Sequence, residues 1–556
     1  MKFIWVLIPI LIILGFISSH RLFRPGFFSM QDDIHVFRLQ QYDKCFHDGQ
    51  IPCRYIPDGG LGYGYPLFNY YSPLTYSIAE IFHLAGFSYI NSIKSVFVLG
   101  FFIGTFGMFL FTRLFWGNLG GLISTIIFSF SPYRAVDSYV RGAIAEFFSL
   151  NLFPLVFWSI TRYLKTLKFR YFMLSVVFLT SLFLCHNLMT LAVSPVLILF
   201  IGITLFRQKQ LNFKYIIKFF SIFLISFCLA SFFLLPALFE KNLVTIETMT
   251  QGYFNFVNHF TTLSQLFINH NDWGYGASLW GPKDDMSFQI GYIQWLLPLF
   301  IFLASLFIKF KKDQISKLYI YLFFILFIFY SFLTHNKSTF IWQALPFMDY
   351  FQFPWRFLSV VIFLLSFISG SIVQFVHKRT VSVTLLILIF LSTILLNINF
   401  FKEDIWFPNL TDNQKLTGAE LVRQSGAGLM DYWPKGSLNY PIEFSKDIPT
   451  SDSPLSTSNY TKKSNLLTAD ITVSSPNTLV TFPLVYFPIW KLTINNHPGL
   501  LLIDNNLGLI QTKLQPGIYH VSIDFINTPI RTISNIISLV TLLFVFAFFY
   551  FKRHEI

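Results

Sequence analysis

Two adjacent carboxylates, Asp32 and Asp33, follow the first apolar block of the chain at the head of a long polar loop. At a membrane surface such a pair can take a proton from a hydroxyl or hold a hard cation. They belong to residues 30–42, where Ile34, Phe37 and Leu39 or Tyr42 recur at helical spacing, so the pair falls at or near a helix N-terminus. That place has a second reading. An Asp there also caps free backbone N–H groups and complements the helix dipole.

Other groups that can do chemistry lie far along the chain. Residues 57–73 interleave Gly59, Gly60, Gly62 and Gly64 with Tyr63 and Tyr65. Glycine lets backbone approach a ligand, and tyrosine faces stack on sugar C–H surfaces, although the same composition makes tight loops and interfacial belts. Residues 131–146 carry Arg134, Asp137, Arg141 and Glu146, with Arg134, Asp137 and Arg141 spaced to share one helical face. The face is either a self-neutralising network or a set of guanidinium forks for phosphate. Arg356 opens an apolar block behind Pro354, placed to reach lipid headgroups or a lipid phosphate. His186 sits at a turn between two blocks, as a capping residue or as a phosphate or proton contact. Asp272, Lys283, Asp284 and Asp285 add polar groups without a recognisable spacing.

The sequence carries no Walker A, HExxH, CxxC pair, GxSxG or dinucleotide glycine motif. His20, His35 and His47 share one loop at spacings too wide for a zinc signature.

The elements that position these groups are membrane spans. The 556 residues are 54% hydrophobic and 20% aromatic with only 12% charged, and the mean hydropathy is +0.58. The net charge of +13 does not argue for nucleic acid, because the basic residues cluster between apolar blocks, as topology signals do. Apolar stretches near 3–18, 92–115, 118–132, 147–163, 171–185, 187–206, 216–238, 290–308, 317–334, 355–375, 381–400 and 533–551 predict about twelve spans of an integral membrane protein. No small-residue cleavage site follows the first, which reads as an uncleaved anchor. The pair flanking His186 also fits one long helix or a re-entrant pair.

Alternation puts Arg162, Lys165, Lys168 and Arg170, then Arg207, Lys209, Lys214 and Lys218, then Lys309, Lys311, Lys312 and Lys317, then Lys378 and Arg379, and finally Lys552 and Arg553 on one side, the cytoplasm, with both termini. Loops 19–91, 133–146, 239–289 and 335–354 then face outward. Residues 401–532 are polar, with strand-like runs at 469–474, 478–482 and 519–525 and turns at Ser475-Pro476, Asn495-Asn496, Asn505-Asn506 and Pro516-Gly517. They predict a small extracytoplasmic β-rich domain ahead of a last span and tail, 533–556. Cys45 and Cys53 share the first loop, within reach of a disulfide in an oxidising compartment.

Together, the acidic pair, the Gly-Gly-Leu-Gly-Tyr-Gly-Tyr-Pro loop, the Tyr-Arg-Ala-Val-Asp-Ser-Tyr-Val-Arg-Gly-Ala-Ile-Ala-Glu segment, Gln-Phe-Pro-Trp-Arg-Phe and Phe-Pro-Leu-Val-Tyr-Phe-Pro-Ile-Trp-Lys resemble the membrane proteins labelled 6-pyruvoyl-tetrahydropterin synthase-related, within the GT-C glycosyltransferase superfamily. The pterin label is not a function, since the soluble synthase relies on a histidine-bound zinc that this chain does not match. GT-C membership implies a membrane domain over residues 1–400 and an inverting transfer of sugar from a polyprenyl-phosphate-linked donor to a glycan, lipid or protein acceptor. By that resemblance Asp32 or Asp33 is the base. Arg134, Arg141, Glu146, Arg356, His186, Tyr63 and Tyr65 are candidate substrate and phosphate contacts, and a divalent metal at Asp32 and Asp33 stays open. Two other readings stand beside it, a non-catalytic membrane protein that binds lipid-linked glycans or serves envelope assembly and, third in order, a transporter.

Overall fold

Long apolar runs separated by basic turns fold as helices, because in hydrocarbon a backbone must satisfy its own hydrogen bonds. The structure, a computed structural model, describes residues 4–552 except 211, 270–272, 280–283, 309–313, 377 and 489. Seven helices are long and apolar enough to cross a bilayer, joined by the shorter apolar helices Leu7–Phe23, Phe169–Cys185, Tyr292–Phe307 and Lys317–Leu333. The 41-residue helix Tyr89–Ser129 is broken at Gly117 (φ 70°, ψ −173°). Its two halves, six unbroken long helices and four short ones make twelve apolar segments among the described residues. His186 (φ −161°, ψ 105°) separates Phe169–Cys185 from Asn187–Arg207, so that region is two helices. The protein is a mainly helical, polytopic membrane protein with a β region near its C-terminus.

Two segments form the centre of the bundle. The apolar windows of Ile144–Thr166 and Pro354–Gln374 are each 89% buried, against 11% for Pro529–Phe548 at the periphery. Both central segments begin at the same end of the molecule, which also carries the first loop and the β region.

Strands Leu455–Lys462, Leu466–Val473, Gly517–Phe525, Trp490–Ile494 and His497–Pro498 form one antiparallel sheet in that order, and Thr450–Ser451, Thr478–Val485 and Leu509–Leu514 form another. Alternation decides which face is inward: Leu467, Ala469, Ile471 and Val473 are buried along one strand. Asn495 and Asn496 both take left-handed φ (49° and 64°) at the hairpin they were expected to turn. Apart from Trp406–Phe407, which pairs with Phe27–Phe28, the strands of this region start at Thr450; before them lie two short helices, Asp412–Leu416 and Gly418–Gly426.

The first loop lies between bundle and β region. A disulfide joins Cys45 and Cys53. Gly64, at φ +87°, brings its backbone so close to Tyr55 that a Cβ would stand 2.2 Å from the Tyr55 hydroxyl, itself bonded to the Val485 carbonyl at 3.0 Å. Deeper, Glu240 accepts from Arg531 Nε (2.9 Å), Thr528 (2.6 Å) and Asn69 (2.9 Å), while Arg54 donates to Asn69 (3.2 Å) and Asn535 (2.9 Å). This buried knot ties the first loop to the final helix. Removing its only carboxylate strands two guanidinium groups in a dry site. Glu240→Gln is therefore expected to destabilise the detergent-solubilised protein by about 3 kcal/mol, read as a lowered midpoint of chemical unfolding.

Candidate functional site

The two central segments each bring a charge to the same point. Glu146 lies in the first turn of Ile144–Thr166, and Arg356 in the Pro354–Phe357 turn that opens the other. Their Oε2 and Nε atoms are 3.2 Å apart, and the same Oε2 accepts from Arg141 Nη1 at 2.7 Å. Tyr133 donates to Glu146 Oε1 at 2.7 Å. Arg141 also pairs with Asp137 and lies 4.5 Å over the Trp355 ring. Burial and the adjacent Glu146 push the Asp137 carboxyl well above the usual range, against the pull of Arg141. Two guanidinium groups thus converge on the Glu146 carboxylate, and Asp137 shares one of them.

The chain reaches this geometry through a widened turn. Pro132 starts a short helix, but residues Val136–Val140 form a π-turn, closed by Arg141 N–H to Val136 C=O at 2.8 Å. The extra residue per turn separates Arg134 from Arg141, so the expected common face does not form. Arg134 is fully buried and donates to Asn151 (2.9 Å) and to the carbonyls of Ser129 (3.0 Å) and Phe101 (2.7 Å). It braces helices and stands outside the cluster.

Asp32 and Asp33 have different fates. Backbone N–H groups of Gln31 and Asp32 donate to the carbonyls of Val140 (3.0 Å) and Arg141 (2.8 Å), which hangs the acidic turn on the π-turn. The helix His35–His47 begins beyond the pair, and its N-cap, Ile34, makes no side-chain bond; neither aspartate caps it. Asp33 is bound by Lys415 Nζ (2.6 Å) and Arg423 Nη2 (3.0 Å), cations from the helices that precede the β region. It is not free to complete a two-carboxylate metal site. Asp32 is exposed, makes no side-chain bond among the described residues, and acts electrostatically on Arg141, Arg356, Tyr71 and Tyr253.

His186 joins the cluster from its turn. Its Nδ1 accepts from Met189 N–H at 3.3 Å, which puts the proton of the neutral ring on Nε2, a donor without a partner among the described residues. Burial, then Arg356, pushes its pKa down to about 3. The two tyrosines do not join. Tyr65 donates to the Gly428 carbonyl (2.6 Å) and accepts from Tyr432 N–H (3.1 Å), and Tyr63 faces the β region near Glu443. Asp284 braces its own loop through Gln265 and Leu279 N–H, both 2.6 Å; Asp272 and Lys283 lie outside the described residues.

Three groups that the sequence did not single out also surround Asp32. Arg38, buried and unpaired with any carboxylate among the described residues, lies 4.4 Å over the Tyr71 ring. Tyr71 has a hydroxyl without a partner among those residues. Asp431 is half-buried, and burial, with Asp32 adding and Arg38 opposing, pushes its carboxyl up to about 6. Arg38 is three residues along the helix from His35, a signal that was available; nothing in the sequence connects Asp431 to Asp32. Among the described residues no group of three His, Cys, Asp or Glu is placed to hold a metal.

The fold and this cluster define a polytopic membrane protein with a charged site at one end of its two central helices. The chain belongs to the 6-pyruvoyl-tetrahydropterin synthase related membrane proteins, whose family model matches residues 68–403. It is similar to an uncharacterized protein of Lactococcus lactis subsp. cremoris (strain MG1363), 26% identical over 318 residues. That match takes in 55% of this chain and spans only half, 50%, of the relative's length. Among solved structures, ArnT from Cupriavidus metallidurans bound to undecaprenyl phosphate aligns over 70% of this chain and 62% of its own at 12% identity. Its TM-score of 0.38 is too low to carry an argument.

His35 fixes the acidic turn's helix from behind: its ring bonds Tyr76 Oη (2.8 Å) and the Gly142 carbonyl (2.6 Å), and burial pushes its pKa down to about 4. The unfolded chain binds this proton near pH 6.5 and the folded chain only near pH 4, so between those values the unfolded state carries more protons and stability falls as pH falls. Unfolding midpoints between pH 7 and 4 should fall less steeply in His35→Gln than in the parent protein; identical slopes would mean that His35 is not buried as a neutral ring.

Proposed function

We propose that this protein transfers a sugar from a polyprenyl-phosphate carrier to a hydroxyl of a glycan, lipid or protein acceptor, on the extracytoplasmic face of the cell membrane. One observation carries the reading: an exposed carboxylate, Asp32, without a side-chain partner among the described residues and hung by its own backbone beside two arginines that converge on buried Glu146. The carboxylate is suited to take a proton, and the arginine forks are suited to a phosphate.

In the reaction, Asp32 accepts the acceptor's O–H proton as its oxygen attacks the anomeric carbon. The bond from that carbon to the phosphate oxygen breaks with its electron pair, configuration inverts, and the carrier phosphate leaves toward Arg141, Arg356 and His186 Nε2–H. Asp33 positions the turn through Lys415 and Arg423. No step is assigned to a metal ion.

The orientation follows from charge. The turns rich in Lys and Arg belong at the opposite, cytoplasmic end with both termini, and the Cys45–Cys53 disulfide fits an oxidising exterior. The same reading takes residues 1–400 as a GT-C-like membrane domain with outer loops, 401–532 as an extracytoplasmic domain, and 533–556 as the final span and tail.

Purified protein in membranes, supplied with radiolabelled polyprenyl-phosphate sugars, should pass label to an acceptor fraction. Asp32→Asn should lower transfer by about 10²-fold or more, and Arg356→Lys should lower it because lysine keeps the charge but not the fork. Asp33→Asn should keep the chemistry and lower thermal stability. Undiminished transfer by Asp32→Asn removes it from the mechanism.

A further inference from the structure

The charges around Asp32 fall into two halves. Arg141, Arg356 and His186 bring N–H donors to one half. The other half holds Arg38, Tyr71 and Asp431, whose carboxylate would repel a phosphate. Asp431 arrives from a segment almost four hundred positions further along the sequence, held in place by the first loop. Tyr65 grips the Gly428 carbonyl and Tyr432 N–H, and Tyr70 stacks on Tyr432 with ring centres 5.4 Å apart. At Gly428, φ is +68°, and a Cβ there would stand 3.1 Å from Asp431 Oδ2 and 3.6 Å from Arg38 Nη2. A carboxylate and a guanidinium thus lie side by side against the Gly428 backbone.

Among the described residues neither the Asp431 carboxylate nor the Tyr71 hydroxyl has a hydrogen-bond partner, and the nine-tenths-buried Arg38 has no counter-ion. Burying a guanidinium without a paired carboxylate is costly, and such groups are retained where a ligand completes them. A neutral polyhydroxylated ring fits this set: a carboxylate accepts from a hydroxyl, a guanidinium donates to the next one, and a tyrosine lies alongside.

We propose that Asp431, Arg38 and Tyr71 form the acceptor half of the site and bind the vicinal hydroxyls of a neutral sugar. The C-terminal segment is then part of the binding site. The proposal rests on reading the arginine half as the donor-phosphate side, but its test needs no turnover.

Full-length protein in detergent is titrated with neutral methyl glycosides of common hexoses and N-acetylhexosamines, followed by saturation-transfer NMR. The parent should bind at least one glycoside. Asp431→Asn and Arg38→Gln should weaken that binding by about tenfold or more, and Tyr71→Phe by less. Should Asp431→Asn or Arg38→Gln fail to fold by thermal unfolding, Tyr71→Phe and Asp431→Glu decide, since each keeps most of the packing. The proposal is overturned if no glycoside binds or if the variants bind as the parent does. Glycoside binding with this dependence but no sugar transfer would sink the transferase reading and leave this one standing; transfer lost in Asp32→Asn with binding indifferent to Asp431 would do the reverse.

Discussion

The buried carboxylate of Glu146 organises the end of the bundle where the site lies. It is enclosed at the start of one of the two central segments, so its charge must be met, and two arginines from different segments meet it. One comes from the turn before its own helix and the other from the opening turn of the second central segment. The demand fixes how these segments start relative to each other. Because the backbone of the π-turn then offers the Val140 and Arg141 carbonyls to Gln31 and Asp32, the same anion sets where the acidic turn hangs.

The first loop passes this order to the C-terminal region. It contributes Arg54 and Asn69 to the knot around Glu240, Tyr55 and the glycine loop to the β region, and Tyr65 and Tyr70 to the segment that carries Asp431. Glycines in that loop serve close backbone packing, as Gly64 against Tyr55 illustrates. The loop is therefore a spacer with two packed faces, and a shift in either face moves Asp431 relative to Asp32.

What the sequence made legible is what short-range physics decides. Span lengths follow from apolar runs, the strand at Leu466–Val473 from its alternation, and the hairpin from Asn495 and Asn496. The convergence of Arg141, Glu146, Arg356 and His186 was legible as a set of ionisable groups at span ends, where burial is costly enough to need a reason. Arg134 was misplaced because helical spacing assumes 3.6 residues per turn, and the π-turn adds one between it and Arg141. Tyr65 was misread because its hydroxyl partners, at Gly428 and Tyr432, lie more than 360 positions away. Asp431 gave no local signal, since its environment is made wholly by long-range packing.

Adjacent carboxylates invite equal roles, yet their neighbours make them opposites. Asp33 meets Lys415 and Arg423, and Glu420 lies on those same two cations, so the pair and its partners form a four-charge cluster that is balanced without help. A balanced cluster holds geometry and offers little to a ligand. Asp32, one residue earlier, has no such partners among the described residues and stays open to whatever approaches the two arginines. Its freedom depends on its neighbour's capture: with Asp33 anchored to the C-terminal helices and the Asp32 amide anchored to Arg141, the turn between them has little play. The rigid residue supplies the position, and the free one is left to supply the chemistry.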